Sequence, residues 1–275
     1  MLLTATPFPE LDGLLDHWIA EVRFVLRDDL LAVCLQGSLA VGDHDEHSDC
    51  DFVVAVRAPL TDAQVAALQA VHARLHASSH PWRAHLEGSY FPADVLRSCD
   101  RRGEPLWYMD RGHRQLAPGT HCNTAVVRQT VRQHGVHLFG SPPASLVDPV
   151  PVATLRREIA TTMLDWGREI LARPEAWAVR FYQGFIVLNY CRAWCDLVTG
   201  TVGSKRRGAG WAKTRLDPSW SDLIDRAWAT RRDTARTWNL PADPDDYRRT
   251  LGLLALIMDA MQTVSEQSPG HGWRS

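Results

Sequence analysis

The chain has 275 residues, 45% of them hydrophobic and 23% charged, the balance of a globular protein with one large or two modest domains. A formal net charge of -2 supplies no basic field for nucleic acid, and no run of about eighteen apolar residues offers a membrane span. The six cysteines form no Cys-x-x-Cys pair and no zinc spacing, and the first residues lack a signal-peptide pattern, so a reduced, cytoplasmic protein is expected.

In chain order, PELDGLLDHWIAEVRFVL carries apolar residues at helical spacing, and LLAVCLQG reads as a short buried strand. DFVVAVR is a second strand, and LTDAQVAALQAVHARLHASS an amphipathic helix capped by Thr61 or Asp62 and ending near Ser79. RAHLEGSYF alternates like a strand with Glu87 in its middle; a helix in NTAVVRQTVRQHG and a strand in VHLFG follow. The turn-forming, proline-rich segment 141–151 marks a boundary between domains 1–150 and 151–275. Beyond it helices are predicted over roughly 153–172, 176–198 and 204–215, with two more to about 265. The fold class is therefore α+β, a small mixed sheet with helices followed by an all-α bundle.

The chemistry concentrates in QGSLAVGDHDEHSDCDFVV, residues 36–54. Asp49 and Asp51 stand at i and i+2 at the start of a strand, so their side chains share a face, while Cys50 points to the core. A hard divalent cation such as magnesium takes oxygen ligands, and two such ions can hold the attacking and leaving oxygens of an in-line displacement. Gly37 lets backbone approach a phosphate, and Ser38 offers amide and hydroxyl donors. Glu87, an acid in an otherwise apolar strand, can complete the metal site and accept the proton of an attacking hydroxyl if its strand lies beside DFVVAVR.

Asp43, Asp45 and Glu46 read as solvated loop acids, and His44 and His47 as loop residues. His72, His76 and His80 recur every four residues, and a polar helix face is preferred to a zinc site because no acid or cysteine completes the shell. Lysine occurs only at Lys205 and Lys213. Arg192 and Lys205 flank the gap between two consecutive helices, where cations can neutralise charge on a leaving pyrophosphate; the alternatives are an Arg192–Asp196 pair and an exposed lysine.

The pattern GS, ten residues, DxD and a later strand acid resembles the DNA polymerase β-type nucleotidyltransferases. Within that superfamily the chain looks like the aminoglycoside 3''-adenylyltransferases, which act on streptomycin and spectinomycin. HLFGSPPASLVDPVP is similar to the family's interdomain linker, and CRAWCDLVTGTVGSKRRGAGWAKTRL to a segment of its helical domain. The resemblance implies transfer of AMP from ATP to a hydroxyl of a small molecule, with two magnesium ions and the nucleotide between the domains. It carries metal binding onto Asp49, Asp51 and Glu87, the catalytic base onto Glu87, and triphosphate binding onto Ser38, Arg192 and Lys205. Where streptomycin-active members carry acids before the conserved arginine, this chain reads RPEAWAVRFYQG, with Glu175 its only acid and Ala178 and Tyr182 at the places of carboxylates. Spectinomycin-like acceptors are favoured accordingly, with Trp107, Tyr108, Glu175 and Tyr182 as candidate acceptor contacts and Asp110 beside them. Alternatives left open are the same fold acting on a protein or another metabolite, and a nucleotide-binding module without turnover. No nucleic-acid or membrane partner is expected.

Overall fold

The computed structural model describes residues 4–45, 48–231, 237 and 239–267. They form two compact units, Met1–Val150 and Pro151–Ser275.

The first unit opens with α1 (Pro9–Leu26), whose proline occupies the first turn, where its missing N–H costs nothing. Leu11, Leu14, Leu15, Trp18, Ile19 and Val22 recur at three- and four-residue spacing and are buried. Next come β1 (Leu30–Leu35), a one-turn α2 (Gly37–Ala40) and β2 (Cys50–Val56). Helix α3 (Asp62–Ala77) starts on a capping box, in which the Thr61 hydroxyl accepts from Gln64 N–H and the Gln64 side chain accepts from Thr61 N–H. Then follow β3 (Leu86–Pro92), α4 (Ala93–Arg97), β4 (Leu106–Met109), β5 (Ala117–Gly119), α5 (Ala125–His134), β6 (Val136–Gly140) and α6 (Pro143–Leu146).

The six strands make one mixed sheet in the order β5-β4-β3-β2-β1-β6, with only β2 and β3 parallel. Alternation sorts its faces. Cys50, Phe52, Val54, Val56, Leu86 and Tyr90 join the apolar residues of α1 and α3 in the main core. Asp51, Glu87, Ser89 and Tyr108 share the opposite face.

Several sequence expectations are corrected here. Glu87 is the second residue of β3, not its middle, because Arg83, Ala84 and His85 are held in turns rather than in the ladder. Strands β4 and β5 went unread: with four and three residues, and Pro118 on an edge strand, they carry too few alternations for a period to register. His72 is not on a polar face. It is 3% exposed, and its ring is hydrogen-bonded to the Tyr90 hydroxyl at 2.8 Å. His76 does reach the surface, against the Gly112 carbonyl. Asp43 is buried rather than solvated, because its N–H donates to the Ser38 carbonyl and folds the turn inward. Glu46 and His47 lie outside the described residues.

The second unit comprises α7 (Val152–Ala172), α8 (Arg180–Thr199), α9 (Lys205–Lys213), α10 (Ser221–Thr230) and α11 (Pro244–Gln267). Helix α8 packs against the other four, and so it is apolar on nearly every side. The helix expected over 176–198 is split. Pro174 opens a separate 3-10 turn through Trp177, and Val179 bridges Pro241, so α8 starts only at Arg180. The helix expected to 215 stops at Lys213, with Pro218 shortly beyond. Among the described residues no helix is long and apolar enough to cross a membrane.

Candidate active site

The site forms where β1 ends and β2 and β3 begin. Asp51 and Glu87 are register partners on the parallel strands, so their side chains leave the sheet side by side on one face. Asp49 lies just before β2, near enough for its charge to act on Glu87. Cys50 turns to the core, where burial lifts its thiol above the usual range. Gly37 follows β1 with φ +62°, a left-handed conformation suited to glycine. A Cβ there would overlap the Asp51 carboxylate, approaching Cγ to 2.6 Å. Two independent constraints therefore exclude a side chain at this position. Ser38 begins the turn that carries the chain past the carboxylates, and its carbonyl accepts the Asp43 N–H at 3.0 Å.

The acids are not equivalent. Burial pushes the Glu87 carboxyl up to about 7, a hydrogen bond from Tyr108 opposes this, and the charges of Asp49 and Asp110 add to the rise. The Tyr108 hydroxyl donates to Glu87 Oε1 at 2.5 Å, and burial and that acid hold its own pKa far above the ordinary phenol. Asp49 Oδ1 takes an ion pair from Arg111 at 2.8 Å. The Cys122 thiol, pushed up to about 12 by burial and by Glu87 and Asp51, borders the cluster as an inert neighbour.

The acids suit magnesium in type, being all oxygen donors. Arg111 on Asp49 marks a place where positive charge is favoured. The side chains are nevertheless turned to protein partners: among the described residues no three His, Cys, Asp or Glu converge on a point where a metal ion could sit. Asp49 faces Arg111 and Glu87 faces Tyr108.

The candidate acceptor residues fall in different places. Tyr108 is buried beside Glu87, but Trp107 pairs with Tyr90 and turns to the other face, against the core of α1 and α3. Alternation along β4 thus separates two residues that the sequence reading grouped. Asp110 follows the strand and is exposed. In the second unit, Glu175 is exposed in the 3-10 turn, and Tyr182 sits edge-on to Trp177 at 4.7 Å in the first turn of α8.

Arg192, on α8, donates to Asn189 Oδ1 at 3.0 Å, and its charge also acts on Asp196 one turn further along the helix. Lys205 opens α9 directly after its Ser204 cap, with Nζ 4.9 Å from the centre of the Phe185 ring. Sequence reasoning missed Arg111 altogether and gave Tyr108 a different task. Nothing in an unread four-residue strand signals that its tyrosine meets Glu87, or that the turn after it delivers an arginine to Asp49.

Comparison with known proteins supplies the context for this geometry. Residues 145–251 match the family model of the aminoglycoside adenylyltransferase C-terminal domain. The aminoglycoside (3'')(9) adenylyltransferase of Shigella flexneri is 25% identical over 226 residues, covering 78% of this chain and 83% of its own. That of Klebsiella pneumoniae is 26% identical over 210 residues, covering 72% and 77%. Among solved structures, spectinomycin adenyltransferase AAD(9) from Enterococcus faecialis, determined with ATP and spectinomycin, aligns with a TM-score of 0.67 over 90% of this chain and 98% of its own. At 13% identity that likeness speaks for the fold: α+β with a C-terminal helical domain. Taken together, the matches make the chain similar to the aminoglycoside adenylyltransferases, with residues 145–251 matching that family's C-terminal domain.

Proposed function

We propose that the protein transfers AMP from ATP to a hydroxyl of an aminocyclitol or related aminoglycoside. The observation that carries this reading is the pairing of Asp51 with Glu87 on adjacent parallel strands, with Gly37 packed against Asp51. In this reading Glu87 takes the proton of the acceptor hydroxyl, whose oxygen attacks the α-phosphorus. The bond from that phosphorus to its bridging oxygen breaks, and pyrophosphate leaves. Burial lifts this carboxyl to about 7 in the metal-free site, and bound magnesium would draw it down and keep it ionised as a base. Tyr108 orients Glu87, and Ser38 and the Gly37 backbone receive phosphate oxygens. Asp49, Asp51 and Glu87 would hold two magnesium ions, which supply charge neutralisation on the triphosphate when bound. Arg192 and Lys205 are assigned to the leaving phosphates.

The acceptor follows from charge. Streptomycin is strongly cationic, and the chain segment leading into α8 carries Glu175 as its one acid with Arg180 adding positive charge, while Asp243, which also borders the start of α8, lies within the influence of Arg180. A less cationic, spectinomycin-like acceptor is therefore preferred, in keeping with the ligand named for the Enterococcus enzyme.

The test is to incubate the full chain with ATP, magnesium and a panel of aminocyclitols and aminoglycosides, following pyrophosphate and the mass of each drug. One acceptor should gain a single adenylyl group, with spectinomycin ahead of streptomycin, and Glu87→Gln should lower the rate by about 10²–10⁴-fold. ATP binding with every drug unmodified would remove the acceptor assignment. Transfer undiminished in Glu87→Gln would remove the base.

A further inference from the structure

Asp196 is a buried acid on α8, 4% exposed and one turn beyond Arg192. Its carboxylate accepts the backbone N–H of Gly203, in the connection between α8 and α9. Oδ1 has no hydrogen-bond partner among the described residues. Burial lifts the group to about 7, against the pull of Arg192 and Arg207. A buried carboxyl with an unsatisfied oxygen is a cost that an apolar side chain would avoid, so stability alone does not account for it.

The connection it anchors is tied at several points. The Thr199 and Thr201 hydroxyls meet at 2.9 Å, and Arg207 donates to them at 3.3 and 3.0 Å. The Ser204 hydroxyl accepts the Arg207 N–H at 3.1 Å and so caps α9. Helix α9 then crosses α8 with the backbones in contact: a Cβ on Gly208 would lie 2.6 Å from Arg192 N. Between cap and crossing, Lys205 has little freedom in where its stem begins.

We propose that Asp196 is a positioning residue for nucleotide phosphates, fixing the α8–α9 connection through Gly203 and Arg207 so that Lys205 and Arg192 present their charges together. The proposal rests on the phosphate-binding role assigned above to those two cations. Asp196 itself touches no substrate in this scheme. Its effect is on the discrimination between a nucleotide carrying β- and γ-phosphates and one without them.

The test compares binding of α,β-methylene-ATP and AMP to the full chain by calorimetry, with magnesium present, in wild type, Lys205→Ala, Asp196→Asn and the double variant. Asp196→Ala is added where it gives a cooperative melt. Asp196→Asn keeps the size and an acceptor for Gly203 but removes the charge, so it is the variant most certain to fold. It should weaken the ATP analogue about tenfold, the size of one charge-assisted hydrogen bond, and leave AMP nearly untouched. Combined with Lys205→Ala it should add little, because both act on the same contact. Equal weakening of both nucleotides, or a lowered melting temperature with unchanged binding, would make Asp196 a structural group and overturn the proposal. If Lys205→Ala leaves the analogue's affinity unchanged, the phosphate role beneath the proposal is lost and both fall together.

Discussion

At neutral pH the Glu87 carboxyl sits near the midpoint of its titration, since burial outweighs the hydrogen bond from Tyr108. Its folded pKa of about 7 lies above the ordinary 4.5, so the native state holds the proton more tightly than the unfolded chain does. Stability from this group is full below pH 4.5 and is lost as pH rises through 7. In metal-free buffer at pH 8, Glu87→Gln should therefore be more stable than wild type, by about 2–3 kcal/mol, while losing transfer. Urea titrations at pH 5 and pH 8 check this; an equal effect at both would mean that the carboxyl is not strained. The Arg111–Asp49 pair predicts the opposite case. Both side chains are about one-third exposed, so Arg111→Ala should cost less than about 1 kcal/mol in the same assay despite the 2.8 Å contact.

Helix α3 and strand β3 meet through a group that elementary pattern-reading misplaced. Tightly packed beside Trp18 and Phe52, His72 has its pKa lowered from 6.5 to about 4 by burial. Because the folded value lies below the unfolded one, stability is full above pH 6.5 and falls as the pH drops toward 4, by about 3 kcal/mol in all. His72→Gln should flatten that part of the stability–pH curve relative to wild type, measured by denaturant midpoints every half unit; an unchanged slope would assign the acid sensitivity to other groups. The misreading is instructive about what a sequence can carry. Long elements with many repeats of one period, such as α1 and α7, were legible almost to their ends. The two-residue spacing of Asp49 and Asp51 predicts a common face, but β2 begins only at Cys50, so the strand period reaches Asp51 and stops short of Asp49. Glu87 was legible as a residue, but its place beside Asp51 depends on which strands pair, and that is settled by the whole sheet. His72 stands at helical spacing with His76, yet one faces Phe52 and the other the surface: a 16-residue helix with alanines on several sides does not announce which stripe is covered. Tyr108 and Arg111 lay beyond reach for the same reason, since their contacts span adjacent strands or a turn and have no local signature.

The molecule as a whole divides at Val150 and Pro151, and the second unit has the means to fold by itself. Leu155, Ile159, Ile170, Ile186, Leu188, Leu253, Ile257 and Met261 are all buried. Burying a large aliphatic side chain is worth about 1.5–3 kcal/mol, and helices arranged around a central α8 keep most contacts local in sequence. The Tyr190 hydroxyl donates to the Met163 carbonyl at 2.7 Å and ties α8 to α7 deep in the core. At the surface Arg226 reaches Asp222 and Asp246, and Arg249 reaches Asp222, so α10 and α11 are joined by one charge network. Residues 151–275 expressed alone should accordingly give a helical circular-dichroism spectrum and a cooperative thermal melt. The same fragment lacks Asp49, Asp51 and Glu87, so it should transfer no AMP, and adding residues 1–150 as a separate chain should restore little, because the linker's effective concentration is lost. A fragment without a cooperative melt would mean that the helical unit depends on the sheet unit for its stability. Phe24, 78% exposed on α1, gives the opposite control: it lies outside every packed layer of its own unit, and Phe24→Ser should leave the melt of the full chain within about 0.5 kcal/mol of wild type.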